Sequence, residues 1–155
     1  MKRIVLRRLV LAVTMVCALL AGLTATASAA TVAPNYEAGS FSANSGVSTV
    51  SGYVYFDSAT SFHITSVKLT DTKCGDSRAA EFRVIAYDLS GREIDYPWHS
   101  LGTDCSGYAT WSSLSGSASS GYINYLKIQT NACQGGLIAS CSSSGFSANF
   151  YDSFS

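Results

Sequence analysis

At 155 residues with only 13% charged side chains, the chain has one domain's length, enough for a single buried core but not for two. Its ten basic and ten acidic residues balance only on paper, because Lys2, Arg3, Arg7 and Arg8 stand in the first eight positions. Without them six scattered cations face ten acids, a net charge of −4, which excludes the footprint of a nucleic-acid-binding domain and leaves no basic face for anionic lipid.

The four N-terminal charges precede an apolar run at residues 9–23 and the small residues Ala27-Ser28-Ala29. That order predicts a secretory signal peptide over residues 1–29. Fifteen apolar residues are short for a bilayer core of about 30 Å, so the mature chain is expected to be extracellular, with no membrane contact after cleavage. Cys17 leaves with the signal. Met15 and Val16 before it are too bulky for a lipoprotein cleavage site. The mature chain of 126 residues retains 25 serines and all the acids, the hydroxyl-rich composition of a secreted β protein.

Four cysteines remain, Cys74, Cys105, Cys133 and Cys141, and an even number in an exported chain implies two disulfides. Of the three pairings the sequential one, Cys74–Cys105 with Cys133–Cys141, is favoured, since Gly135-Gly136 lets the shorter loop bend back. The absence of a C-x-x-C pair and the presence of only His63 and His99 argue against structural zinc.

Residues 30–48 are polar and weakly patterned, and are expected to form a flexible arm with at most one short strand near Phe41. From there to residue 155 the pattern is β. Residues 50–56 (VSGYVYF) are aromatic and β-branched. Residues 62–70 (FHITSVKLT) alternate but switch parity between Ile64 and Val67, which a bulge near Thr65-Ser66 would reconcile. Residues 80–87 (AEFRVIAY) place Phe82, Val84 and Ala86 on one face and Glu81, Arg83, Ile85 and Tyr87 on the other. The turn at residues 88–91 (DLSG) should return residues 92–96 as a hairpin partner. Residues 108–114 (YATWSSL) form the next strand, residues 115–121 a loop, and residues 122–130 (YINYLKIQT) a strand with Tyr122, Leu126 and Ile128 together. In residues 146–154 strict alternation is expected to turn Phe146, Ala148, Phe150 and Phe154 inward and Ser147, Asn149 and Tyr151 outward. The expected fold is all-β: a single antiparallel sandwich of about 7–8 strands over residues 49–155, with a small barrel as the alternative.

The run DTKC at residues 71–74, the hairpin AYDLSGRE, the strand from Cys105 to Trp111 and the segment from Cys133 to Cys141 resemble small secreted proteins of actinobacteria whose activity is uncharacterised. The similarity lies in pattern and spacing over residues 52–150. It implies secretion and a β-sandwich, and no catalytic residue.

Catalytic signatures are missing. There is no G-x-S-x-G, S-x-x-K or H-E-x-x-H. His63 and His99 read as ordinary surface or hydrogen-bonded histidines. Glu81 and Glu93, on the two arms of the predicted hairpin, are expected to pair with Arg83 and Arg92 rather than to act as an acid/base couple. No enzyme and no cofactor is therefore expected. If Cys74 joins Cys105, then Asp71, Asp76 and Asp104 are drawn together as oxygen ligands for Ca²⁺. The leading ligand site is Asp95, Tyr96, Trp98 and His99, where aromatic rings suited to stacking on sugar C–H faces stand beside a carboxylate. An extracellular glycan or cell-wall polymer is then the expected partner. A disulfide-held interaction protein anchored by Leu137 and Ile138 is the alternative. Oligomeric state is not legible.

Overall fold

The computed structural model describes residues 36–102, 107–119, 121–134 and 140–154. The expected signal peptide (1–29), Asp104, Cys105, Leu137 and Ile138 lie outside that set. Among the described residues there is no helix, hence none long and apolar enough to cross a membrane.

The described residues form ten strands: β1 (Tyr36–Asn44), β2 (Ser48–Ser58), β3 (Ser61–Asp71), β4 (Ala79–Asp88), β5 (Glu93–Asp95), β6 (His99–Ser100), β7 (Tyr108–Ser117), β8 (Ile123–Cys133), β9 (Gly145–Phe146) and β10 (Phe150–Tyr151). They make two separate antiparallel sheets. The first runs β1-β2-β3-β7. The second is centred on the β4–β8 ladder, with β5 and β6 along the free edge of β4 and β9 and β10 along that of β8. This is the sandwich expected, not a closed barrel. Residues 36–44 belong to it as a nine-residue strand paired with β2, longer than the single short strand expected near Phe41.

The core lies between the sheets. Phe41, Val50, Val54, Phe56, Phe62, Ile64, Val67 and Leu69 face Phe82, Val84, Ile123, Leu126, Ile128 and Phe150, all buried. Burial of this apolar set is the main drive to the fold. The bulge expected in β3 falls at Ser66, in a left-handed conformation at φ 51°. Between the Ser51–Lys68 and Tyr53–Thr65 pairs, β2 advances two residues and β3 three. The extra residue turns both Ile64 and Val67 inward.

Three expectations fail for identifiable reasons. β7 runs on to Ser117 rather than ending at Leu114, because β3 pairs with it as far as Ser61–Ser117. Tyr122 is 55% exposed, while Ile123 takes the buried position. A register shift against β4 beside Asp88 lets Ile123 and Leu126, three apart, share a face. The last segment is two short strands instead of one. Gln129 faces Phe146, but Leu126, three residues back, faces Phe150, four residues on. That one extra residue keeps Phe150 inside and leaves Phe146 and Phe154 exposed. Ser147, expected outside, is buried; its Oγ accepts a bond from the Ile128 amide at 3.0 Å, filling in for the interrupted ladder.

Candidate functional site

Alternation along β4 and β8 fixes which side chains cover the outer face of the second sheet. β4 sends Arg83, Ile85 and Tyr87 outward opposite Gln129, Lys127 and Tyr125 of β8. β5 adds Glu93 and Asp95 opposite Tyr87 and Ile85. The far edge adds Phe146 opposite Gln129 and Tyr151 opposite Tyr125. Ile85, although outward in parity, is 2% exposed, so larger side chains form a layer above it.

Arg83 organises that layer. Its guanidinium pairs with Asp95 at 2.7 Å and reaches Glu93 at 3.9 Å. Its Nε donates to Gln129 Oε1 at 2.8 Å, and Gln129 Nε2 donates onward to Ser144 Oγ at 2.8 Å. Held on these sides, the guanidinium lies 4.8 Å from the ring centroid of Trp98, a cation–π contact. Trp98 remains 38% exposed. Beside it Tyr87 donates its hydroxyl to Glu93 Oε2 at 2.9 Å. Desolvation, then the bond to the Glu93 carboxylate, pushes the Tyr87 phenol up to about 12. Tyr87 stacks on Tyr125 at 4.5 Å, and Tyr125 meets Tyr151 at 5.4 Å. Lys127 Nζ lies 5.2 Å from the Phe146 centroid.

The four residues expected to form one ligand site divide between two places. Asp95 and Trp98 are on this outer face. Tyr96 and His99 turn into the rim of the sandwich. Tyr96 stands edge-on to Phe62 at 5.0 Å. Its buried hydroxyl finds no partner among the described residues, and burial raises its pKa. His99 pairs across the ladder with Phe82, stacks on it at 5.1 Å and meets Trp111 at 5.8 Å. The reason is strand geometry. The segment from β5 to β6 follows the edge of β4, with Tyr96 N bonded to Val84 O at 3.1 Å. Successive side chains therefore take opposite faces, and Pro97 marks the break between the two short strands. Trp111 is half-buried against the core and edge-on to Phe82 at 5.3 Å.

The carboxylates expected as calcium ligands have local duties. Asp71 Oδ1 accepts the Lys73 amide at 3.1 Å and Asp76 Oδ1 the Arg78 amide at 3.1 Å. Asp104 lies outside the described residues. Among those described, the group of three potential ligands within reach of one another is Glu81, Cys133 and Cys141. The Cys133–Cys141 disulfide is present. Cys74 is exposed and unbonded to any described cysteine; Cys105, its expected partner, is outside. Of the expected pairing of Glu81 and Glu93 with Arg83 and Arg92, the Glu93–Arg83 pair forms at 3.9 Å, while Glu81 and Arg92 find other partners. Glu93 sits with Tyr87 and Arg83, Arg92 binds Asp88 at 3.0 Å, and Glu81 contacts Cys133.

On the other sheet His63 Nδ1 lies 2.7 Å from Asp57 Oδ1, and its ring stacks on Tyr55 at 4.9 Å. Ser115 is its cross-strand neighbour, but among the described residues no hydroxyl is bonded to the other ring nitrogen. Backbone amides at this ladder position lie in the sheet plane and are taken by pairing. They supply no oxyanion hole above the face. One shallow recess of about 230 Å³ is lined by Asp88, Leu89, Ser90, Gly121 and Tyr122. Its carboxylate is consumed by the hairpin turn, accepting the Ser90 hydroxyl at 2.6 Å and the Ser90 and Arg92 amides at 2.9 Å each. These bonds, led by the Ser90 hydroxyl, hold the Asp88 pKa below the ordinary range.

Tyr87, Tyr125, Tyr151, Phe146 and Arg83 were not among the candidate ligand residues. Strand parity was the available signal for Tyr87 and Tyr151; the bulge before β10 concealed Phe146. Comparison with known proteins found no matching family profile, no matching characterised protein and no matching solved structure.

Proposed function

We propose that this chain is a secreted, non-catalytic binding module that recognises an extracellular polysaccharide or cell-wall polymer across the outer face of its second sheet. The observation that carries the reading is Trp98: an exposed ring with one face braced by an arginine that is itself held by Asp95 and Gln129. A braced ring loses little entropy on binding. Its open face suits the C–H face of a sugar, and Glu93 and Asp95 beside it accept hydroxyl protons. Exposed Phe146 and Tyr151 at the far edge of the same face favour an extended ligand lying across a flat surface over a small molecule in a cavity. The Cys133–Cys141 bond suits the oxidising compartment this role requires.

Pull-down on insoluble polysaccharides together with a glycan array tests the reading, comparing the wild type with Trp98→Ala and Trp98→Phe. Binding by the wild type, loss in Trp98→Ala and retention in Trp98→Phe are expected. Equal binding by wild type and Trp98→Ala, or none by a folded wild type, overturns it.

A further inference from the structure

The second observation lies at the end of the β4–β8 ladder, away from the aromatic layer. Glu81 Oε1 is 2.8 Å from Sγ of Cys133, which is bonded to Cys141. A disulfide sulfur has no hydrogen to donate. A contact this short with a carboxyl oxygen is a hydrogen bond only when the carboxyl carries the proton. A neighbour makes the same demand. Asn131, directly across the ladder from Glu81, is buried, and its Oδ1 has no partner among the described residues. Two acceptors, a sulfur and an amide oxygen, thus flank a carboxyl that serves either only when protonated. The other groups facing Glu81 are Ser100 on β6 and Arg83 two residues along β4. Arg83 is the single charge among them, and it is committed to Asp95 and Glu93. Burial accordingly lifts the Glu81 pKa against the weaker pull of Arg83.

The geometry points to Cys133–Cys141 as an exchangeable disulfide, with Glu81 as the acid that protonates Cys133 when an external dithiol reduces the bond. Cys141 is exposed and Cys133 half-buried, so the incoming thiolate attacks Cys141. The S–S bond breaks, and its electron pair leaves on Cys133 Sγ. That sulfur takes the Glu81 proton, giving a mixed disulfide on Cys141, a Cys133 thiol and a Glu81 carboxylate. The second thiol of the reductant then displaces Cys141 and closes the reductant into its own disulfide. Cys141 leaves as a thiolate and takes the second thiol's proton, and the Glu81 carboxylate recovers from solvent the proton the first thiol gave up, so the protein gains two electrons and two protons. The flanking backbone bonds, Gln134 N to Ser140 O at 3.0 Å and Ser142 N to Ala132 O at 2.8 Å, hold the two sulfurs near each other after reduction. The step is therefore reversible without unfolding.

The test is the rate of reduction of the intact protein by dithiothreitol from pH 4.5 to 8, divided by the thiolate fraction of the reductant. In the wild type this normalised rate is expected to fall as pH rises through the Glu81 pKa. In Glu81→Gln it should be independent of pH and at least about tenfold slower at the acid end. Rescue by Glu81→Asp, partial because the shorter chain draws back from the sulfur, would support a proton-donor role over packing. A flat wild-type profile overturns the proposal without reference to any variant. So do equal rates in wild type and a folded Glu81→Gln.

Discussion

Gly145 is the position where one methyl group should do most harm. It opens β9 opposite Thr130 of β8, and a Cβ there would overlap the carbonyl of Asn44 and crowd Ser45 N at 2.6 Å. Both are backbone atoms of the β1–β2 turn. That turn cannot retreat: Ser45 N donates to Ser48 O at 3.0 Å, and Ser48 Oγ bonds Thr130 Oγ1 at 2.7 Å inside the core. Gly145→Ala must therefore part β9 either from the turn or from β8. The second course also strains the Ser147–Ile128 bonds, 2.9 Å from the Ser147 amide and 3.0 Å to its hydroxyl. Overpacking typically costs about 1–3 kcal/mol, and immobile backbone on both sides puts this site near the top, about 3 kcal/mol. With a urea slope of about 1.5 kcal/mol per M the midpoint should fall by about 2 M, with the slope unchanged. Urea titration followed by tryptophan fluorescence reads this directly. A fall under about 0.3 M would refute the claim that β9 is wedged against a fixed turn.

Replacing Cys133 and Cys141 together by alanine, across a sequence separation of 8, should cost about 2.5 kcal/mol on the chain-entropy relation, read as a lower urea midpoint. Thr70 pairs with Tyr108, and Asp71 N bonds Gly107 O at 3.1 Å; Cys74 and Cys105 are thus three and two residues beyond one ladder end. Peptide mapping without reduction should recover a Cys74–Cys105 linkage, and alkylation of Cys74 in the unreduced protein would refute it. His99 has its pKa pushed below the ordinary 6.5 by burial against Phe82 and Trp111. Its unfolded form therefore binds the proton more readily. The stability its neutral form contributes is complete above 6.5 and lost as pH falls from there through the folded pKa. Wild type should accordingly lose more stability between pH 7 and pH 5 than His99→Phe, which keeps the ring stack; identical losses would sink the assignment.

Alternation in residues 80–87 was enough to place Phe82, Val84 and Ala86 inside. The parity switch between Ile64 and Val67 located the Ser66 bulge, because a strand that buries both residues must insert one between them. The Gly91 turn, at φ 80°, was legible because that conformation favours glycine. These features depend on neighbours along the chain. The Phe146 error arose because the extra residue before β10 leaves strict alternation in the sequence intact, and only the ladder with β8 reveals the shift.

What the amino-acid order alone determined is the fold class, the inward faces of β3 and β4 and the ability of Cys133 to reach Cys141, all set by period-two patterning and short chain separation. Only the tertiary structure decided that Asp95 and Trp98 share a surface with Tyr87, Tyr125 and Arg83 while Tyr96 and His99 turn inward. It also decided that Glu81 meets a sulfur rather than an arginine. The Tyr87–Tyr125 contact and the Glu81–sulfur contact follow from pairing with β8, about 45 residues away along the chain, and the inward turn of Tyr96 and His99 follows from the path of their segment along the edge of β4. Such register is fixed by how the two sheets bury their common core, and no local pattern encodes it.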